Sequence, residues 1–282
     1  MTVPRLDVGI VTRSFPGLDN AATARFMADN GFASTELCLV QSDSNRWHYN
    51  GQVDLEGMDG TRLRRIADIY RAAGVAVPAF GIFTNLIEKD DGKRRANLEN
   101  FVLCMEYAAE AGISIVATEC GFDPESRGVI ASEYETRFSR LIESLGYLTT
   151  AAGRIGVRIA LEPCVLDVVP SAKRMADTIR QVGSEHLGVL LDPANLIANS
   201  SERDMFCYLT DHILYFHGKD RRLNDTYGRV VGDGDIDWPL FLSLYHAHTP
   251  GRPFILEYAN IDNCLAIRDR VLAYNASLAG SA

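Results

Sequence analysis

Apolar runs and longer amphipathic stretches alternate along the chain from end to end. The apolar runs have the length of buried strands, and the stretches between them repeat apolar residues at helical spacing. Strands are therefore predicted at 8–12, 32–39, 75–80, 113–119, 157–162, 188–192, 213–218 and 253–258. Helices are predicted at 21–29, 61–73, 94–111, 171–182, 202–209, 238–245 and 263–274. One more ends at Gly153 or Gly156 and carries on one face Tyr134, Phe138, Leu141, Ile142, Leu145 and Leu148.

Glycines mark the ends of the first helices. Gly31, Gly74 and Gly112 each stand just before an apolar run, and Gly153 repeats the pattern. Glycine suits the left-handed turn that ends a helix because it has no Cβ to clash. Eight strand–helix units in strict alternation, with no linker between them, predict a single-domain (β/α)8 TIM barrel that spans residues 1–282.

The last four apolar runs each end on a side chain that can bind a metal. These residues are Glu162, Asp192, His217 and Glu257. Side chains along a strand alternate between its two faces. The apolar neighbours of these four residues should therefore lie on the opposite face of each strand: Ile159, Leu161, Val189, Leu191, Leu214, Phe216, Phe254 and Leu256. In a TIM barrel the C-terminal strand ends share one rim, where active sites lie. One polar residue beside a strand is ordinary, but four at equivalent positions on adjacent strands predict a site.

Three carboxylates and one imidazole form a hard donor set, without the thiolates that are typical of structural zinc. This set predicts one divalent ion, Mn²⁺ first, with Co²⁺, Mg²⁺ or Zn²⁺ as alternatives. Such an ion would keep positions open for two neighbouring oxygens of a hydroxy-ketone, polarise the carbonyl and stabilise an enediolate. Glu162 and Glu257 could each coordinate through one oxygen and handle a proton with the other.

The composition is that of an ordinary globular protein, with 47% hydrophobic and 23% charged residues. The formal net charge of -9 argues against binding to nucleic acid, which needs a basic face. No apolar run reaches membrane-spanning length, and the start has no signal-peptide pattern. The six cysteines are scattered, as expected of reduced thiols. We therefore expect a cytoplasmic protein with a small-molecule substrate. The oligomeric state is left open, a homo-oligomer included.

Four motifs carry a resemblance to a known family. They are Ala160-Leu161-Glu162-Pro163, Leu191-Asp192-Pro193-Ala194-Asn195-Leu196, His217-Gly218-Lys219-Asp220 and Leu256-Glu257. Together with the stretch at 232–238, they make the chain resemble the xylose-isomerase-like TIM-barrel superfamily, within its sugar (phosphate) isomerase/epimerase group of ketose 3-epimerases and inosose dehydratases. The resemblance implies metal dependence and chemistry at a carbon next to a carbonyl. It also implies that Glu162, Asp192, His217 and Glu257 bind the metal and that Glu162 and Glu257 are catalytic.

One position departs from the pattern of this family. Asn195 stands where the epimerases and dehydratases usually have a histidine. An amide can hydrogen-bond a substrate hydroxyl, but it cannot take up a proton near neutral pH. The departure leaves the metal site intact and the type of reaction open.

Several further side chains near strand ends are candidate substrate contacts. Besides Asn195 they are Lys219, Asp220, Glu119, Asn85 and Trp47. Structural alternatives exist for most of them. Lys219 and Asp220 could pair with each other in a solvated loop. Thr118 could face inward in place of Glu119, and Trp47 could be a packed loop aromatic.

The sequence thus predicts a metal-dependent isomerase or epimerase that acts on a ketose or related keto-sugar, or on a cyclitol ketone. A lyase of the same superfamily, which dehydrates an inosose-like ring or cleaves a keto-glycoside, begins with the same proton abstraction and is the main alternative. A non-catalytic sugar-binding barrel would not need both metal-binding glutamates. A nucleic-acid enzyme of the AP endonuclease type would need more histidines on the rim and a basic surface. No glycine-rich turn follows Glu257 to bind a phosphate, which favours an unphosphorylated substrate.

Overall fold

Each predicted apolar run forms a strand, and each amphipathic stretch forms a helix. Residues 5–126 and 128–280, which the computed structural model describes, form eight strands and eight α-helices in strict alternation. The strands are β1 Val8–Ile10, β2 Ser34–Leu37, β3 Ala76–Gly81, β4 Ile115–Glu119, β5 Arg158–Glu162, β6 Leu187–Leu191, β7 Ile213–Gly218 and β8 Phe254–Leu256. The helices are α1 Asn20–Asp29, α2 Gly60–Ala72, α3 Asp91–Glu110, α4 Tyr134–Ile155, α5 Ala172–Val182, α6 Glu202–Leu209, α7 Trp238–His248 and α8 Cys264–Ser277.

The strands are parallel and follow one another around a nearly closed barrel. Their order is β1-β8-β7-β6-β5-β4-β3-β2, so the first strand pairs with the last. β1 and β2 meet at the seam, where Ala33 N donates to Val8 O over 2.9 Å and the Thr35 hydroxyl donates to Ile10 O over 2.6 Å. The predicted single (β/α)8 TIM barrel is confirmed. Because the strands are parallel, the C-terminal ends of β5 to β8 lie side by side.

Side-chain caps and glycine turns set the boundaries of the helices. Asp59 and Ser171 accept hydrogen bonds from the first turns of α2 and α5, which satisfies backbone N–H groups that a helix cannot pair internally. Of the two predicted stops for α4, Gly156 is the one that ends the helix, with a left-handed φ of 87°. In the described part of the chain, no helix is both long enough and apolar enough to span a membrane.

The strands separate an outer core from an inner core. The outer core lies between strands and helices. It holds most of the apolar residues predicted to point away from the site: Ile159, Leu161, Val189, Leu191, Phe216, Phe254 and Leu256. The inner core fills the barrel with Val11, Cys38, Ala79, Phe83, Ala117, Ala160, Leu190, Leu214, Tyr215 and Ile255. Leu214 was predicted to lie in the outer core. It joins the inner one instead, where the pairing of β6 with β7 shifts register between Val189 and Leu190.

Candidate active site

Four metal-competent side chains meet at the C-terminal rim of the barrel. Glu162 ends β5, Asp192 follows β6, His217 lies near the end of β7, and Glu257 follows β8. All four are buried, and one potential ligand atom from each lies within 4.8 Å of the others. The barrel makes them neighbours because its parallel strands all end on the same side.

Each of these side chains turns one buried atom toward the others. The atoms are Glu162 Oε2, Asp192 Oδ2, His217 Nδ1 and Glu257 Oε2. Glu162 Oε2 and His217 Nδ1 have no hydrogen-bond partner among the described residues, whereas Asp192 Oδ2 and Glu257 Oε2 are in ion-pair contact with Lys219. An unpaired buried polar atom costs free energy, so the cluster indicates a partner that the protein chain supplies only in part. Carboxylate oxygens together with an imidazole nitrogen suit divalent ions such as Mn²⁺ and Zn²⁺. The group could therefore hold such an ion.

Lys219 provides a positive charge beside this carboxylate cluster. Its Nζ lies 2.5 Å from Asp192 Oδ2 and 2.7 Å from Glu257 Oε2, in ion-pair contact with both. Glu162 Oε1 lies further away, at 3.9 Å. Lys219 is buried, with 4% of its surface exposed, so it is not half of a solvated loop pair with Asp220. Its charge offsets part of the repulsion among the three carboxylates.

Glu36 fixes the orientation of the His217 ring. It lies in β2, across the barrel, and its Oε2 is 2.9 Å from His217 Nε2 and also accepts a hydrogen bond from the Tyr215 hydroxyl. A carboxylate can only accept, so His217 Nε2 donates and Nδ1 is left to face the carboxylate cluster. Gly81 leaves the space that Glu36 needs, because a Cβ there would lie 2.5 Å from Glu36 Oε1. A carboxylate behind a ligand histidine is a common way to orient the ring toward a metal.

The second oxygen of each glutamate is held by a neighbouring side chain. Asn195 Nδ2 donates to Glu162 Oε1 over 2.9 Å, and Arg221 Nη2 lies 3.1 Å from the oxygen of the same amide. Arg13 donates a hydrogen bond to Glu257 Oε1. Each glutamate is thus fixed through Oε1, while Oε2 is left for the cluster.

A cavity of about 710 Å³ opens above the cluster. The loop after β2 contributes Trp47 and Tyr49 to its lining, and the end of β4 contributes Glu119. The loops after β6, β7 and β8 contribute Asn195, Lys219, Arg221, Tyr227 and Tyr258. The volume lies in the range of small-molecule sites, and the lining combines aromatic faces with hydrogen-bonding groups. Such a lining suits a polyhydroxylated ligand.

Comparison with known proteins identifies the family. The family model of the xylose isomerase-like TIM barrel matches residues 24–278. The chain belongs to this family. The resemblance carried by the sequence motifs is therefore confirmed. No curated protein matches the sequence.

Solved structures of similar fold include several sugar-processing enzymes. A D-tagatose 3-epimerase-like protein is 14% identical, with a TM-score of 0.78 over 98% of this chain and 99% of that one. The IolI protein with a bound zinc atom is 15% identical, with a TM-score of 0.75 over 96% of this chain and 98% of that one. The 3-keto-D-glucoside 4-epimerase YcjR from E. coli is 15% identical, with a TM-score of 0.73 over 97% of this chain and 100% of that one. At such identities the likeness establishes the fold and not the reaction.

Two residues that the sequence suggested as substrate contacts lie elsewhere in this xylose isomerase-like barrel. Asn85 borders a separate cavity, and its amide is used internally, donating to Phe122 O and accepting from Ile87 N. Asp220 is fully buried and accepts four hydrogen bonds, from the backbone N–H groups of Arg221, Gly232 and Ile236 and from Trp238 Nε1. Asp220 therefore organises the loop after β7, and neither Asn85 nor Asp220 borders the cavity above the cluster, where both were expected.

The other candidate substrate residues line the cavity above the cluster. Trp47, Asn195 and Lys219 border it directly. Glu119 also borders it and accepts a hydrogen bond from the Tyr49 hydroxyl, whereas Thr118 donates to a backbone carbonyl. Of the two residues that could face inward at the end of β4, Glu119 is the one that does.

Sequence reasoning missed Glu36, Arg13 and Tyr49. Glu36 had a detectable signal, since it is an acidic residue inside an apolar run that the barrel buries completely. Arg13 had a weaker one, because it follows the end of the first strand just as the ligand candidates follow theirs. Tyr49 lies in the long loop after β2, where no periodicity predicts which side chain turns inward.

The charges of the cluster shift the pKa of its members. Burial alone would lower the pKa of His217, but Glu36 and the nearby glutamates raise it well above its ordinary value. Burial and the neighbouring carboxylates raise the pKa of Asp192 to about 7, against the opposing effect of Lys219. Burial opposes ionisation of Glu257 as well, yet Lys219 and Arg13 lower its pKa overall. Glu257 is thus held as a carboxylate.

Proposed function

We propose that this protein is a divalent-metal-dependent isomerase or epimerase that moves the proton next to the carbonyl of a keto-sugar or cyclitol ketone. The observation that carries the proposal is the convergence of buried potential ligand atoms from Glu162, Asp192, His217 and Glu257, lying under a cavity suited to a polyol. Similar folds in a ketose 3-epimerase-like protein and a keto-glucoside epimerase support the substrate class.

Glu162, Asp192, His217 and Glu257 would hold the ion. Mn²⁺ is our first choice because three of the four donors are carboxylates, while the zinc bound in IolI supports Zn²⁺, and Co²⁺ and Mg²⁺ suit the same donors. When bound, the ion would act as a Lewis acid that polarises a carbonyl oxygen and makes the neighbouring C–H more acidic.

The two glutamates would move the proton. An epimerase must remove a proton from one face of a carbon and return one to the other face, so one carboxylate is needed on each side. Arg13 stabilises Glu257 as the carboxylate, which suits it to accept a proton first. Asn195 holds Glu162 through Oε1, and Glu162 is the second carboxylate of the pair, which would return a proton to the other face. In this scheme Asn195 orients Glu162 and replaces no proton-transfer group.

The charged groups around the cavity favour an uncharged substrate. Arg13 pairs with Glu257, and Lys219 pairs with both Asp192 and Glu257. Arg221 is held by Ala194 O and Asn195 Oδ1. A phosphate would have to compete with these internal partners for each cation. We therefore propose an unphosphorylated substrate.

A lyase reaction is the second candidate, and Glu119 is the observation that favours it. Burial raises the pKa of Glu119, which lies on the cavity wall and accepts a hydrogen bond from Tyr49. A protonated carboxylic acid at this position could donate to a leaving hydroxyl or to a glycosidic oxygen, which an epimerase does not require.

A substrate screen in D₂O tests the proposal. Unphosphorylated ketoses, their phosphates, inososes and 3-keto-glucosides would be incubated with the Mn²⁺-loaded protein and followed by proton NMR. We expect deuterium to enter next to the carbonyl of at least one uncharged substrate, with an epimer or isomer formed. Chelator treatment and Asp192→Asn should both abolish the exchange. Release of water or an aglycone would favour the lyase, and no metal-dependent exchange with any compound would contradict the proposal.

A further inference from the structure

Tyr258, which directly follows Glu257, has an unusual backbone conformation. Its φ is 60°, in the left-handed region, and among the described residues Asn50 is the other non-glycine residue with a positive φ. Asparagine tolerates this region, but a bulky aromatic residue is a genuine outlier there. Such strain persists only where the surrounding structure holds it, and it concentrates at functional sites.

The conformation places the Tyr258 ring over the rim of the cavity. Lys219 Nζ lies 5.0 Å from the centre of the ring, and the ring also packs against Gly228. A Cβ at Gly228 would lie 2.8 Å from two ring atoms, so glycine leaves the space that the ring occupies. Tyr258 is nevertheless 54% exposed and lines the cavity. One part of the ring is thus supported by the protein, and the rest is left open above the cluster.

We propose that Tyr258 determines specificity by forming a platform for the apolar C–H face of a ring-shaped polyol. A keto-sugar or cyclitol ketone in ring form has hydroxyls around its edge and C–H groups on its faces, and an aromatic face packs well against C–H groups. An open-chain ketose has no such flat face. The protein should therefore prefer ring-form substrates to open-chain ones. The inference rests on the proposed function for the reaction, but its binding step can be tested separately.

Binding can be measured with a ring polyol that cannot react. We would titrate the Mn²⁺-loaded protein with myo-inositol by calorimetry, and with erythrulose, a four-carbon ketose that stays in the open-chain form. Tyr258→Ala and Tyr258→Gly should weaken binding of myo-inositol by about two- to tenfold, the usual range for one aromatic contact. Tyr258→Phe should restore most of this loss. Erythrulose binding should change less than twofold in all three variants.

Two further variants separate the platform from a folding defect. Alanine and glycine both remove the ring, but only glycine relieves the left-handed backbone. Tyr258→Gly should therefore melt at a higher temperature than Tyr258→Ala, although both lose the same affinity. Gly228→Ala keeps the tyrosine and displaces its ring, so it should weaken myo-inositol binding in the same direction. Tyr147→Ala, at an exposed tyrosine on α4, is the control and should bind as the wild type does.

The outcomes distinguish this inference from the proposed reaction. Equal losses for myo-inositol and erythrulose would mean that Tyr258 only shields Lys219, and would overturn the platform. Wild-type protein that binds no ring polyol would overturn it as well. Tyr258-dependent binding without deuterium exchange into any keto compound would support the platform and contradict the proposed reaction. A further outcome would support both the platform and the proposed reaction. In it, Tyr258→Gly slows deuterium exchange into ring ketones and leaves exchange into erythrulose unchanged.

Discussion

The state of His217 depends on Glu36, a residue that touches neither the cavity nor the other ligand candidates. Glu36 is fully buried and accepts hydrogen bonds from His217 and from Tyr215. The first of these bonds leaves His217 Nδ1 free to face the carboxylates. The orientation of the His217 ring is thus set partly by a side chain of β2, three strands away around the barrel.

Glu36→Gln should weaken binding of Mn²⁺ by about 10–100-fold, the usual effect of removing the partner of a ligand histidine. The amide carries no negative charge and can present a donor to His217, which disturbs the orientation of the ring. Competition with a metal-sensitive dye would measure the dissociation constant. Glu202→Gln is the control, because Glu202 is also buried but bonds to the backbone of Asp237. An unchanged dissociation constant in Glu36→Gln would show that Glu36 is not needed to orient His217 for metal binding.

Metal affinity should also fall as the pH is lowered. The pKa of Asp192 is raised to about 7, so the metal-free protein carries a proton there at lower pH. An ion binds the carboxylate and the neutral imidazole, so the protons on Asp192 and on His217, whose pKa is also raised, must both be released on binding. The apparent affinity should therefore drop by more than tenfold per pH unit below the pKa of Asp192. Calorimetry in buffers of different ionisation enthalpy would count the released protons at pH 6. No proton release at that pH would contradict the prediction.

At the scale of elements, the loop after β7 depends on Asp220. Its carboxylate accepts from the backbone N–H groups of Gly232 and Ile236 and from Trp238 Nε1. The loop then returns to α7 and leaves Lys219 and Arg221 on the cavity wall. Neighbours in one sequence motif, Lys219 and Asp220, thus have different roles because successive residues point to different sides.

Asp220→Asn should destabilise the protein by about 3 kcal/mol, since an amide turns a donor toward buried N–H groups and leaves them unsatisfied. Urea unfolding followed by circular dichroism would measure the change. Asp233→Asn in the same loop is the control, because Asp233 is half-exposed and pairs with Arg270 at the surface. Its effect should stay within about 0.5 kcal/mol. A loss below about 1 kcal/mol in Asp220→Asn would show that the loop does not depend on this carboxylate.

Secondary structure followed from the sequence because each element carries its own local signal. Strands β5 to β8 were placed by short apolar runs, and α4 by its amphipathic face. Boundaries were less certain, as the choice between Gly153 and Gly156 illustrates. The position of Leu214 could not be predicted, because a register shift between β6 and β7 depends on how two distant segments pair.

At the scale of the whole molecule, the barrel is what makes the site predictable. Strand alternation indicated eight βα units, and closure of the barrel brings the four ligand candidates together. The side chains that orient and neutralise these four residues could not be predicted in the same way. Glu36 and His217 are far apart in the chain, and nothing in either segment specifies that they meet. Lys219 could be placed near the rim, but its ion pairs with Asp192 and Glu257 required the folded structure.

In the proposed reaction, Glu162 and Glu257 move a proton on opposite faces of one carbon. The most direct test is deuterium exchange from D₂O by Glu162→Gln and Glu257→Gln, with saturating Mn²⁺, bound metal quantified, and each of the two epimers supplied separately. We expect each variant to lose about 10²–10⁴-fold in epimerisation. Each should still exchange the proton of one epimer, and the two variants should act on opposite epimers. Epimerisation at the wild-type rate by Glu257→Gln would contradict the two-base account.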